Sequence, residues 1–217
     1  MADFTLYIGN KNYSSWSLRG WLMLKATGVP FEEVLIRLSE PNTRTEVLRR
    51  SPSGRVPALK HGEILVWDSL SIGEYLAEHF PQAKLWPEDT AARALARSVS
   101  AEMHSGFPAL RNHFPMNMRS SFPNRPITPE VQPDIDRITS IWHDCRARFG
   151  AEGPFLFGHF TIADAMYAPV VSRFRTYKIE IDAERQAYCD AIWSMPALQE
   201  WLGSARNEPW VIEDSEF

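Results

Sequence analysis

Only two cysteines, Cys145 and Cys189, stand among the 217 residues, too few for a disulfide framework or a cysteine-based zinc cluster. Both fall inside helical patterns and are expected to be core thiols. The histidines at 61, 79, 104, 113, 143 and 159 show no metal-ligand spacing, so no metal is assigned. The chain also lacks a basic block. Its 23 Lys and Arg face 27 Asp and Glu, a net charge of −4 spread along the sequence, which argues against nucleic acid as a partner. No apolar run reaches the roughly 18 residues of a membrane span. The opening Met1-Ala2-Asp3-Phe4 has no basic region leading into an apolar stretch. The expectation is a soluble, cytoplasmic protein with no membrane partner. Internal repeats and low-complexity tracts are absent.

What is present is a hydrophobic content of 44%, enough to bury a large core in one big domain or two ordinary ones. Phe4, Leu6 and Ile8 alternate with Thr5 and Tyr7, the period of a strand. A hydroxyl-rich turn, Asn12-Tyr13-Ser14-Ser15-Trp16-Ser17-Leu18-Arg19, follows. Leu18, Trp21, Leu22 and Lys25 then fall at helical intervals until Gly28-Val29-Pro30 stops the pattern. The helix therefore starts among Ser14, Ser15 and Ser17, where free backbone N–H groups and the positive end of the dipole favour a thiolate or carboxylate.

A second strand is expected within Phe31 to Leu38, and a short helix around Thr45 to Leu48. Val56-Pro57-Ala58-Leu59-Lys60 and Glu63-Ile64-Leu65-Val66-Trp67 flank His61-Gly62, the form of a tight hairpin. From Ser69, the residues Ile72, Tyr75, Leu76, His79 and Phe80 line one helical face, with Ser71 and Glu74 at capping-box spacing before Pro81. The order is β-α-β-α-β-β-α. Pro81 to Glu88 reads as a linker, and beyond it helical periodicity dominates, first in Ala91 to His104. Prolines at 115, 123, 126, 129 and 133 break the next stretch. Further helices are expected over Pro133 to Phe149, over Ala165 to Phe174 behind the capping-box form Thr161-Ile162-Ala163-Asp164, and over Met195 to Leu202.

This plan, with a proline opening its third strand, resembles a cytosolic glutathione S-transferase, specifically a serine-type bacterial member with zeta/theta-like features. Ser14 to Arg19 is similar to the serine-containing turn of those classes, Ser51-Pro52-Ser53-Gly54-Arg55-Val56-Pro57 to the segment before the family's cis-proline, and Asp68-Ser69 to its acidic-Ser pair. The capping box at Thr161 to Asp164 matches as well. The resemblance implies a thioredoxin-like α/β domain over residues 1–81, a linker over 82–88 and an all-α helical bundle over 89–217. It also implies glutathione as co-substrate, no metal, a homodimer and a small electrophile.

Site residues follow from the same likeness. The register counted back from Gly28 puts the thiol-activating hydroxyl at Ser14, with Ser15 one residue away. A serine is too weakly acidic to be a base at neutral pH, so its role is to donate a hydrogen bond to the thiolate. Val56-Pro57 would pair with glutathione's cysteinyl backbone as an added strand does. Asp68 and Ser69 would hold the γ-glutamyl end, and Lys11, Arg19 and Arg55 are candidate charges for the carboxylates. His104, Phe107 and Arg111, in a stretch that also holds Met103, Phe114, Met116 and Met118, are candidates for the second-substrate pocket; Arg173 and Arg175 are further candidates for an acidic co-substrate. Trp16 stands where cysteine-type members carry Cys, which disfavours mixed-disulfide chemistry. The residues alone leave plainer roles open: helix caps for the serines and for Asp68-Ser69, a trans proline, and core packing for the Met and Phe residues. Two other functions remain open as well. One is a glutathione-dependent isomerase of a maleylacetoacetate-like diacid, against which Trp16 and Trp21 depart from the zeta pattern. The other is a non-catalytic glutathione- or ligand-binding protein.

Overall fold

The computed structural model describes residues 3–217. Met1 and Ala2, where the opening was read for a leader, lie outside them. β1 (Phe4–Ile8) runs as expected, burying alternate residues. α1 (Ser15–Ala26) follows, then β2 (Phe31–Leu35), α2 (Thr43–Leu48), β3 (Ala58–His61), β4 (Ile64–Trp67) and α3 (Ser69–His79). The sheet order is β2-β1-β3-β4. β1 and β2 are parallel, with Phe4 opposite Phe31, and α1 is the crossover that a parallel pair requires. β3 runs antiparallel to both β1 and β4, and Gly62, at φ +56°, makes the hairpin turn.

α1 shows why the N-terminal periodicity is imperfect. It packs against α3 and also against α7 (Ile162–Thr176) and α9 (Pro196–Arg206) of the helical part. Consequently Leu18, Trp21, Leu22, Met23 and Leu24 are all nearly sealed from solvent. A helix covered on most sides needs no polar stripe. α3 departs from expectation at its start: Asp68 caps it, its Oδ1 accepting the N–H of Leu70 at 2.8 Å. The capping box expected at Ser71 and Glu74 therefore lies inside the helix.

The helical part comprises α4 (Thr90–Ser105), α5 (Pro108–His113), α6 (Gln132–Phe149), α7, α8 (Ala183–Ser194) and α9. α5 and α8 had no clear sequence signal. The former has six residues, and the latter buries only Tyr188, Cys189 and Ile192. α7 is the central helix, buried along almost its whole length. At its start the Asp164 carboxylate accepts the N–H groups of Leu156 at 3.0 Å and Thr161 at 2.8 Å. Burial nevertheless pushes its pKa up to about 6. Cys145 and Cys189 are buried free thiols, each pushed up to about 12 by desolvation, which leaves them unreactive. No helix among the described residues is long and apolar enough to cross a membrane. The same residues contain no group of side chains able to hold a metal ion.

Candidate functional site

A cavity of about 640 Å³ opens where the β1–α1 turn, the segment before β3, the start of α3 and the end of α4 meet. Ser14, Ser15, Arg55, Val56, Pro57, Asp68, Ser69 and His104 all line it, so the structure brings together eight residues that the sequence scatters over 91 positions. Tyr13, Trp16, Ser53 and Trp67 complete much of the wall.

Ser14 is the N-cap of α1 and lines the cavity as well, so the two roles coexist. Its hydroxyl donates to Ser17 Oγ at 2.7 Å, and Ser17 Oγ also accepts the N–H of Gly9 at 2.9 Å. Ser15 is the first helical residue, and its side chain lies against the same cavity. An acceptor placed here meets the unpaired N–H groups and positive dipole end of a twelve-residue helix. Tyr13, also in the wall, has its hydroxyl held by Glu216 at 2.7 Å and by Arg119 at 2.9 Å. Burial and the Glu216 carboxylate raise its pKa, so it stays neutral.

A second helix N-terminus faces the cavity at α3. Ser69 is 1% exposed and its hydroxyl has no partner within the protein. An orphaned buried hydroxyl at a helix start is a free donor, suited to a carboxylate that is not part of the chain. Asp68 beside it directs Oδ1 to the cap and Oδ2 to His104 Nε2 at 2.5 Å. The Val56–Pro57 peptide is cis, and Val56 lies just ahead of the β3 ladder, which begins at Ala58.

Several of the expected site residues lie elsewhere. Lys11 turns away from the cavity: its Nζ pairs with Glu33 at 2.8 Å and sits over the rings of Trp21 and Trp201. Phe107 is in the hydrophobic core, 6% exposed. Arg111 is held by the carbonyls of Met103, His104 and Gly106 and stacks on Trp16 at 4.9 Å. These donors satisfy α4's C-terminal carbonyls, a structural task the sequence does not reveal. Met103, Phe114, Met116 and Met118 are core residues too. Arg175 pairs with Asp190 on the surface.

Arg19, an expected charge for a glutathione carboxylate, is 0% exposed and does not line the cavity. Its guanidinium stacks on Trp16 at 4.4 Å, and none of its three nitrogens has a hydrogen-bond partner. Desolvation, then repulsion from Arg111 and Arg173, pushes its pKa well down. Sequence reasoning also missed Ser17 as the partner of Ser14; a buried serine three residues into a cap motif has no distinguishing pattern.

Comparisons with known proteins agree with this architecture. Family models for the glutathione S-transferase N-terminal and C-terminal domains match residues 13–79 and 125–204. Glutathione S-transferase 1 of Dianthus caryophyllus is 36% identical over 155 residues, covering 71% of this chain and 65% of that protein. Maleylacetoacetate isomerase of Rattus norvegicus is 36% identical over 110 residues, covering 49% of this chain and 50% of that protein. The chain thus spans about two thirds or less of these curated relatives. Among solved structures, a Burkholderia glutathione transferase homologue with bound glutathione superposes at a TM-score of 0.71 with 25% identity, covering 94% of this chain and 97% of that one. The theta class enzyme of Xanthomonas axonopodis pv. citri shares the fold at a TM-score of 0.69 and 23% identity, covering 93% of this chain and 98% of that one.

Proposed function

Because the chain belongs to the glutathione S-transferase family, we propose that its cavity binds glutathione and activates the thiol through the Ser14 hydroxyl for addition to a small electrophile. The observation that carries this reading is that two helix N-termini share one cavity, each presenting a hydroxyl: Ser14 at α1 and the unpartnered Ser69 at α3. One suits a thiolate and the other a carboxylate.

In this reading the γ-glutamyl carboxylate accepts from the Ser69 hydroxyl and the start of α3, while the ammonium pairs with Asp68. The peptide lies along Val56, extending the sheet as an added strand. Arg55 at the cavity rim meets a carboxylate of the tripeptide. The cysteinyl sulfur then lies at Ser14. The hydroxyl swings from Ser17 Oγ to the sulfur and donates to it, which lowers the thiol pKa and releases the thiol proton to solvent. The thiolate attacks the electron-poor carbon of the second substrate; the C–S bond forms as that carbon's leaving group or π electron pair is displaced, and solvent supplies the proton an adduct needs. The aromatic wall of Tyr13, Trp16 and His104, with His104 edge-on to Trp16 at 5.1 Å, receives the apolar part of that electrophile. The protein acts as a cytoplasmic homodimer without a metal.

The identity shared with a maleylacetoacetate isomerase supports a second reading, in which glutathione adds to a cis diacid and is released after rotation. A thiol-consumption screen against aryl halides, epoxides, organic hydroperoxides and a maleylacetoacetate analogue separates the possibilities. A transferase consumes thiol in step with product. An isomerase converts the diacid with no net thiol loss, and a binding protein does neither while still retaining glutathione.

A further inference from the structure

The turn that carries Ser14 is held from the far end of the chain. Glu208 lies just beyond α9 and is 8% exposed. Its two carboxylate oxygens accept the backbone N–H of Lys11 at 2.6 Å and of Asn12 at 3.1 Å. The Lys11 carbonyl accepts the indole N–H of Trp201 at 2.9 Å, and the Asn12 carbonyl accepts the N–H of Met118 at 3.2 Å. Every backbone polar group of these two residues is therefore satisfied by the helical part of the protein. Asn10 closes the turn, its carbonyl accepting the N–H of Ser14 at 2.8 Å. A displacement at Lys11 and Asn12 thus moves Ser14 with it. Tyr13 is tied to the same region, because Glu216 accepts its hydroxyl and that of Ser120, and Arg119 donates to both Tyr13 and Glu216.

We infer that Glu208 is a positioning residue for the Ser14 hydroxyl, and that the segment from Glu208 to Glu216 is part of the thiol-activating apparatus. This rests on the proposed role of Ser14. A carboxylate is suited to the task because it has two acceptor oxygens and no donor, so it meets two adjacent peptide N–H groups at once. A glutamine in its place meets one N–H with its oxygen and opposes the other with its NH₂. An alanine leaves both donors buried and unpaired, and the turn relaxes toward water. A donor must lie within a few tenths of an ångström of the developing anion to stabilise it, so such relaxation costs thiolate formation before it costs binding. The contacts assigned to the γ-glutamyl end, at Asp68 and Ser69, are on a different element and stay in place.

The experiment compares wild type, Glu208→Gln, Glu208→Ala and Glu216→Gln in three measurements: the pKa of bound glutathione thiol by ultraviolet titration, glutathione affinity by calorimetry, and melting temperature. The expected result is a thiol pKa raised by about one unit in Glu208→Ala, equivalent to about a tenfold fall in the thiol's ionisation constant. Glu208→Gln falls between that and wild type, and affinity changes less than about twofold. Glu216→Gln, at a half-buried position remote from the core, shows a smaller shift in the same direction and keeps the test decisive if the Glu208 variants do not fold. Lower melting temperatures with an unchanged thiol pKa in every folded variant would overturn the inference and leave Glu208 a structural cap. Failure of the wild type to bind glutathione or ionise its thiol would instead overturn the function from which the inference starts.

Discussion

The Ser14 hydroxyl donates to Ser17 Oγ at 2.7 Å, and Ser17 is fully buried with a backbone N–H as its other partner. A hydroxyl has one proton to give, so Ser14 reaches a thiolate only by leaving Ser17. Ser17 then donates back to Ser14 and keeps the pair connected. Ser14→Ala is therefore expected to raise the pKa of bound glutathione thiol and to cost about 2–4 kcal/mol in rate, the usual loss for one preorganised donor. Glutathione affinity stays close to wild type. Ser17→Ala has a smaller effect on the thiol and a larger one on melting temperature, because it leaves the Gly9 N–H buried without a partner. An unchanged thiol pKa in Ser14→Ala together with a raised one in Ser15→Ala would move the assignment to Ser15.

The parts of this arrangement that were legible in the sequence are those written in local chemistry. Alternation gave β1 to the residue, and the hydroxyl-rich turn, the hairpin around Gly62 and the long helices α4 and α6 followed from period and capping signals. Lys11 and Arg111 failed because their roles depend on partners 22 positions away and on a helix end, respectively. A long cationic side chain near a presumed site looks the same in sequence whether it faces the ligand or covers aromatic rings. Glu208 was invisible for the same reason, since its N–H partners are 196 and 197 residues distant.

At the other end of the cavity, Asp68→Ala and Ser69→Ala are expected to weaken glutathione binding by about 1.5–3 kcal/mol, the cost of a charge-assisted hydrogen bond. Asp68→Ala also removes the α3 cap, worth about 1 kcal/mol of stability. Calorimetry with glutathione and with cysteinylglycine resolves the two effects. The dipeptide lacks the γ-glutamyl group, so its affinity should be the same in wild type and both variants. Equal loss for both ligands would place these residues outside the γ-glutamyl contact.

Asp164 gives the fold a pH dependence. Its pKa rises to about 6 in the folded protein because burial disfavours the charge, against about 3.9 for an unperturbed aspartate. Between these values the folded state binds more protons than the unfolded one, so this group's contribution to stability is complete below about pH 4 and is lost as pH rises through about 6. Asp164→Asn removes that titration. Plotted against pH, the stability of the variant relative to wild type should climb between about pH 4 and 6 and level off above. A difference that stays flat across this window in urea unfolding would show that burial does not raise the carboxyl's pKa.

Strand β4 is an edge of the sheet, and it leaves Ile64 50% and Trp67 43% exposed. An apolar edge of this kind is usually covered in solution. Trp67 also borders the cavity, so a second subunit seated there adjoins the substrate. Light scattering at micromolar concentration should give about twice the 24.8 kDa chain mass, and Ile64→Lys should shift the species toward monomer. A wild-type monomer under these conditions would defeat the proposed homodimer.

Arg19 is a charged side chain buried at a cost. It is fully buried, none of its nitrogens is paired, and Arg111 and Arg173 repel it. Its compensations are the face of Trp16 and the lesser attraction of Asp68, and a cation–π contact is worth only about 2 kcal/mol even when desolvated. Replacing a buried charge with an apolar side chain of similar volume is often neutral or stabilising by about 1–4 kcal/mol. Arg19→Met should therefore melt at or above the wild-type temperature, in contrast to the loss of several degrees that usually follows a core substitution. Trp16 keeps Arg111 and His104 but loses the nearer of its two guanidinium partners in the variant, which loosens it at the cavity wall, so any cost should appear in the kinetics with the electrophile and leave glutathione affinity unchanged. A marked drop in melting temperature would show that Arg19 has an acceptor in solution, and that its charge contributes to holding α1 against the helical part of the chain.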